Sequence, residues 1–170
     1  VFPNILRLMM DILRDSLIVL EKNLKKLKSL SLDFLLENKI TERGYRLFAQ
    51  DLFSSLPPHL EYFALNVESC PSFTDDVVRE IGEKIGENLK NLQTLILSFR
   101  RMDQLTGYAL LELVHIISSD LLSLKKLTLS FEWCQRIHPS FLIVLPKQIQ
   151  QFDLYLNKPK FAIHKTWKNL

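Results

Sequence analysis

Apolar residues recur along this chain in two alternating rhythms, one of period two and one close to period 3.6. Five segments share a single frame: Leu27-x-x-Leu30-x-Leu32-x-Phe34, Leu60-x-x-Phe63-x-Leu65-x-Val67, Leu92-x-x-Leu95-x-Leu97-x-Phe99, Leu124-x-x-Leu127-x-Leu129-x-Phe131 and Ile149-x-x-Phe152-x-Leu154-x-Leu156. From one second anchor to the next the steps are 33, 32, 32 and 25 residues. The last three apolar positions of each frame alternate, as in a strand with one buried face. Between the frames the spacing is helical. After Thr41 come Tyr45, Phe48, Ala49, Leu52, Phe53 and Leu56; after Thr74 come Val77, Val78, Ile81, Ile85 and Leu89; after Thr106 come Ala109, Leu110, Leu113, Val114, Ile117 and Leu121.

Thr41, Thr74 and Thr106 hold one repeat position and suit a helix N-cap. An apolar residue precedes each (Ile40, Phe73, Leu105), and Ile137 takes the same place before His138, suited to a hydrophobic staple. Ala49, Gly82 and Val114 align within the helices, and such small residues predict a close approach of helix to sheet. In the fourth unit Ile137 is only 15 residues from Phe152, against 22 in the two units before it. About two helical turns are missing, which predicts a stunted helix around Pro139–Leu145. Asn4–Lys22 fits the helix half of a leading repeat, with Pro3 at its start and Ile5, Leu8, Met9, Ile12, Leu13, Leu17 and Leu20 on its apolar face. Beyond Asn157 the pattern breaks, and the alternation of Phe161, Ile163 and Trp167 predicts a capping strand over an open sheet edge. The domain organisation expected is a single domain over residues 1–170: a leading helix to 22, repeats over 23–156 and a cap or tail over 157–170.

The frame resembles the leucine-rich-repeat family over residues 24–156. Units of about 32 residues with a full helix are similar to the ribonuclease-inhibitor-like class, whereas Cys70-Pro-Ser-Phe73-Thr74-Asp75 is similar to the C-x-x-[LI]-T-D segment of cysteine-containing repeats in F-box adaptors. Cys134-Gln-Arg-Ile137 matches the first half of that segment. The family's usual Asn after the strand is absent, its place being taken by Leu35, Glu68, Arg100 and Glu132, and the units are longer than those of the F-box adaptors. The resemblance implies an α/β fold, a right-handed β-α solenoid in a horseshoe-like arc. About five parallel strands would line its concave face, used for protein recognition, and helices its convex face.

Strands about 4.8 Å apart make such a face roughly 20 Å wide. The positions between the buried anchors predict its surface: Ser31, Ala64, Ile96, Thr128 and Asp153 in one row, Asp33, Asn66, Ser98, Ser130 and Tyr155 in the next, and Leu35, Glu68, Arg100, Glu132 and Asn157 at the strand ends. All of these except Leu35 and Asn157 are the candidate partner-binding residues; a simply solvated face is the competing reading. Glu68, Arg100 and Glu132 should be lateral neighbours in a structural charge ladder, worth up to ~1 kcal/mol per exposed pair.

Composition narrows the function. The 47% apolar and 24% charged content is ordinary for a globular domain, and a formal charge of +3 does not by itself point to nucleic acid. No apolar run approaches the roughly 18–20 residues of a membrane span. Beginning at Val1 without Met, the chain is read as a processed product or fragment, so the solenoid is open to continue upstream. Cys70 and Cys134, two repeats apart, are expected roughly 10 Å from each other, beyond the ~7 Å reach of a disulfide. Both are read as reduced, buried loop residues of a cytoplasmic protein. His59, His115, His138 and His164 occupy unrelated repeat positions, with His115 expected on the solvent side of its helix. Gly82 and Gly86 lie within a helix rather than in a phosphate loop, and no nucleophile-and-base arrangement follows from the spacing. Neither catalysis, nor a cofactor, nor a metal is expected. Lys158, Lys160, His164, Lys165 and Lys168 with Phe161 and Trp167 form the one basic-aromatic cluster, of a kind that can stack single-stranded nucleic acid; with so few charges, a structural cap or a protein contact is favoured over nucleic acid.

The expected role is therefore a non-catalytic protein-binding scaffold, a subunit of a larger hetero-complex rather than a homo-oligomer. Two alternatives stand beside it. The segment from Phe2 to Leu13 resembles the start of an F-box, which would imply a substrate-recognition adaptor of a ubiquitin ligase. The inhibitor-like resemblance would imply a regulator that caps an enzyme.

Overall fold

The structure is a computed structural model and describes residues 26–35, 40–137, 148–158 and 161–168. The frames become strands and the 3.6-period stretches become helices. In chain order these are β1 (Ser29–Leu35), α1 (Glu42–Ser55), β2 (Tyr62–Glu68), α2 (Asp75–Asn88), β3 (Thr94–Arg100), α3 (Gly107–Asp120), β4 (Lys126–Glu132), β5 (Gln151–Lys158) and β6 (Phe161–Lys168). All six strands belong to one sheet, ordered as in the sequence. The first five are parallel, and β6 closes the far edge antiparallel to β5. The fold is thus α/β, with one helix between each successive pair of strands from β1 to β4. The helices predicted over Asn4–Lys22 and around Pro139–Leu145 lie outside the described residues.

The register follows the anchors. Leu30 pairs with Phe63, Phe63 with Leu95, Leu95 with Leu127, and Leu127 with Phe152. A slip of one residue would turn every anchor to the other face, so burial of one face holds the strands in this alignment. The anchors of β2, β3 and β4 are buried completely or nearly so, whereas Leu30, Leu32 and Phe34 of β1 are only partly covered. Aromatic rings run through the core from unit to unit: Tyr45 meets Phe73 at 4.9 Å, Phe73 meets Phe99 at 5.5 Å and Phe99 meets Phe131 at 5.4 Å.

Ahead of each strand the units are tied by a repeated backbone device. The carbonyl of Lys28 accepts from the N–H groups of both Glu61 and Tyr62, Glu61 from Gln93 and Thr94, Gln93 from Lys125 and Lys126, and Lys125 from Gln150 and Gln151. Each link satisfies two donors that a strand entering a sheet would otherwise leave without a partner.

Two local expectations change. The three threonines do sit at N-caps with extended backbone, but only two cap through their side chains: Thr41 accepts from the N–H of Gly44 and Thr106 from that of Tyr108. Thr74 makes no such bond and its hydroxyl is buried without a partner. The small residue at Gly82 serves helix–helix rather than helix–sheet approach, because a Cβ there would lie 3.0 Å from Leu113 Cδ1 and 3.4 Å from Ile116 Cδ1, both in α3. One turn on, a Cβ on Gly86 would meet Asp120 Oδ2 at 2.7 Å and its Cβ at 2.9 Å. The two glycines let α2 and α3 lie side by side.

Candidate functional site

Alternation along the strands leaves one sheet face without helices among the described residues, and the predicted rows assemble there. Ser31, Ala64, Ile96, Thr128 and Asp153 are successive register partners from β1 to β5, as are Asp33, Asn66, Ser98, Ser130 and Tyr155. Their exposure is uneven. Ser31 and Asp33 at the β1 end are exposed, and Asn66, Ile96, Ser98, Thr128 and Tyr155 are half-buried. Ala64, Ser130 and Asp153, expected at the surface, are buried instead, with exposures of 9%, 7% and 8%. Ala64 and Ser130 are short, and each has one much larger register neighbour, Ile96 beside Ala64 and Tyr155 beside Ser130. At a strand spacing of about 4.8 Å such neighbours shut water from a short side chain.

The third row forms the expected ladder. Arg100 stands between its neighbours' carboxylates, its Nη1 3.6 Å from Glu68 Oε2 and its Nε 3.1 Å from Glu132 Oε2. The latter contact is within ion-pair reach but off the hydrogen-bond line. Arg101 adds a third contact, Nη1 to Glu68 Oε1 at 3.3 Å. Glu68 is thereby held on both oxygens. Leu35 and Asn157 complete the row by register.

Just past the ladder lies a feature the sequence did not suggest. Ser69, Arg101 and Trp133 have φ of 56°, 53° and 64°, in the left-handed region where glycine is the usual occupant. The N–H of Ser69 donates to Arg100 O at 3.0 Å and that of Arg101 to Glu132 O at 2.9 Å, so the turn extends the ladder by one bond per unit. Equal spacing from the strands was the available signal, but Ser, Arg and Trp carry no left-handed preference to betray it. Trp133 is 41% exposed there.

At the opposite, N-terminal ends of the strands is an open depression of about 1130 Å³, lined by His59, Glu61, Gln93, Lys125, Gln148 and Gln150 among others. Lys28 Nζ donates to Glu61 Oε1 at its margin.

Cys70 and Cys134 are both free and buried. Burial, reinforced by the negative charge of Asp103, pushes the Cys134 thiol up to about 11 against the help of the Met102 backbone. Cys134 Sγ donates to Phe99 O at 3.1 Å. His59 and His115 are exposed on separate units. Among the described residues no three His, Cys, Asp or Glu side chains gather to hold a metal ion, and no helix is long and apolar enough to cross a membrane.

No family model, curated protein or solved structure matches this chain. Its residues and their geometry carry the functional conclusion.

Proposed function

We propose that this protein is a leucine-rich-repeat solenoid that works as a non-catalytic scaffold, engaging a protein partner through the open face of its sheet within a larger assembly. The observation that carries this reading is that face itself. Five parallel strands in register present small and polar side chains, Ser31, Asn66, Ser98 and Thr128 among them, on a surface that carries no helix among the described residues. Side chains this short leave room for a partner's loop or helix, and strands buried on the other face hold them in fixed rows, so little ordering entropy is lost on binding. The rigid ladder of Glu68, Arg100 and Glu132 along one margin adds polar groups that fix the orientation of a partner.

The test is native affinity purification of the tagged chain beside a Ser98→Tyr variant, whose new ring would stand at the centre of the face. A stoichiometric partner that comes with the wild-type chain and is lost from a folded variant supports the proposal. A partner retained by the variant moves the interface elsewhere, and the absence of any stoichiometric partner refutes the scaffold role.

A further inference from the structure

The sheet ends in two outer strands, and they differ in how they are guarded. β6 carries Lys165 and Lys168, the residue type that blunts an edge against further pairing. β1, at the other end, reads Ser-Leu-Ser-Leu-Asp-Phe-Leu, with no lysine, proline or glycine. Lys28 O accepts from Tyr62 N, so by alternation Leu30, Leu32 and Phe34 turn their backbone groups toward β2. Those of Ser29, Ser31 and Asp33 point outward, and among the described residues no strand pairs with them. The core is thin at the same place. Leu27, Leu30, Leu32, Phe34 and Phe48 are only partly buried, whereas their counterparts one unit on are covered.

We propose that β1 is a self-association edge, pairing antiparallel with β1 of a second copy about a two-fold axis through Leu32. The strand's own pattern selects this occupant and this register. Only residues whose backbone groups point outward can exchange hydrogen bonds across the axis. An axis at Asp33 would set two carboxylates face to face, and one at Ser31 would leave Phe34 and Leu35 beyond the partner strand. An axis at Leu32 overlaps all seven residues. Leu30 then stands opposite the partner's Phe34 and Leu32 opposite the partner's Leu32, so the partly covered anchors of the two copies close one apolar layer. On the open face Ser31 stands opposite the partner's Asp33, a hydroxyl facing a carboxylate rather than a like charge. The axis runs normal to the sheet, so both copies keep their helices on one side and their open faces free. A homodimeric contact is thus added where the sequence favoured a hetero-complex alone.

Sedimentation velocity of the full chain, from about 1 μM to about 1 mM, should show a monomer–dimer equilibrium. Ser31→Asp sets a carboxylate opposite Asp33 twice in each dimer and should raise the dissociation constant roughly tenfold. Ser31→Lys sets an ammonium there instead and should lower it. The side chain is exposed, so the circular dichroism of both variants should match that of the wild type. The outward amides of Ser31 and Asp33 should exchange slowly with solvent in the dimer and rapidly in the monomer. A monomer at every concentration overturns the inference, as does a shift in the same direction by both variants. Ser31 and Asp33 amides already protected in the monomer overturn it too, since the chain itself would then occupy the edge. None of these outcomes bears on capture of a heterologous partner by the open face.

Discussion

Phe99 is the residue on which the coupling between units should be most visible. Its ring is fully buried, with Phe73 5.5 Å away on one side and Phe131 5.4 Å away on the other. Truncating a buried Phe to Ala costs about 3–5 kcal/mol, part transfer and part residual cavity, and each lost ring pair accounts for about 0.5–1.5 kcal/mol of it. Two pairs are lost here, so Phe99→Ala belongs near the top of that range. Phe34 is the matched control at the same frame position of β1. It is only partly buried and, among the described residues, has one ring neighbour, Phe48 at 5.0 Å. A residue that keeps part of its surface in water loses less on truncation, so Phe34→Ala should cost about half as much. For a chain of this length a loss near 4 kcal/mol lowers the melting temperature by roughly 8–16 °C. Urea denaturation followed by circular dichroism gives both values. A cost below about 1 kcal/mol for Phe99→Ala, or one no larger than that of Phe34→Ala, would refute the account of a continuous aromatic core.

Two further outcomes follow from contacts away from the open face. Asp75, in the first turn of α2, accepts from Thr106 N at 2.8 Å and Thr106 Oγ1 at 2.5 Å, clamping the start of α3 to the preceding helix. Asp75→Ala should therefore destabilise by about 1–3 kcal/mol, whereas its exposed neighbour Asp76, held by ion pairs at 3.5 Å, should cost under about 1 kcal/mol on the same change; equal losses in thermal melts would argue against the clamp. For Cys134, a folded-state thiol near 11 against an ordinary value of 9.0 means that the folded chain keeps its proton longer than the unfolded one. The stability this group contributes is intact below pH 9 and is lost as pH rises toward 11, by about 2–3 kcal/mol at most. The loss should vanish in Cys134→Ala, and rapid alkylation of native Cys134 at neutral pH would contradict the burial.

The sequence by itself determined the strands, the helices between them and the register that joins them, because each follows from a short-range rule. Apolar residues at alternate positions need one buried face, apolar residues three and four apart need one buried stripe, and a period of about 32 residues brings each anchor beside its counterpart one unit on, as Leu30, Phe63, Leu95, Leu127 and Phe152 come together. The three rows of the candidate face and the Glu68–Arg100–Glu132 contacts were legible for the same reason: a register once fixed names every lateral neighbour. Tertiary structure alone decided what depends on the size and reach of those neighbours. It gave Gly82 to α3 rather than to the sheet, left the Thr74 hydroxyl without its helix, and buried Ala64, Ser130 and Asp153 on a face whose pattern marks them as exposed. It also put Ser69, Arg101 and Trp133 into left-handed backbone, a conformation none of them favours alone, where at Ser69 and Arg101 a bond to the next unit offsets the strain. Periodicity specifies which face a side chain takes; how much water reaches it there depends on atoms far away in the chain.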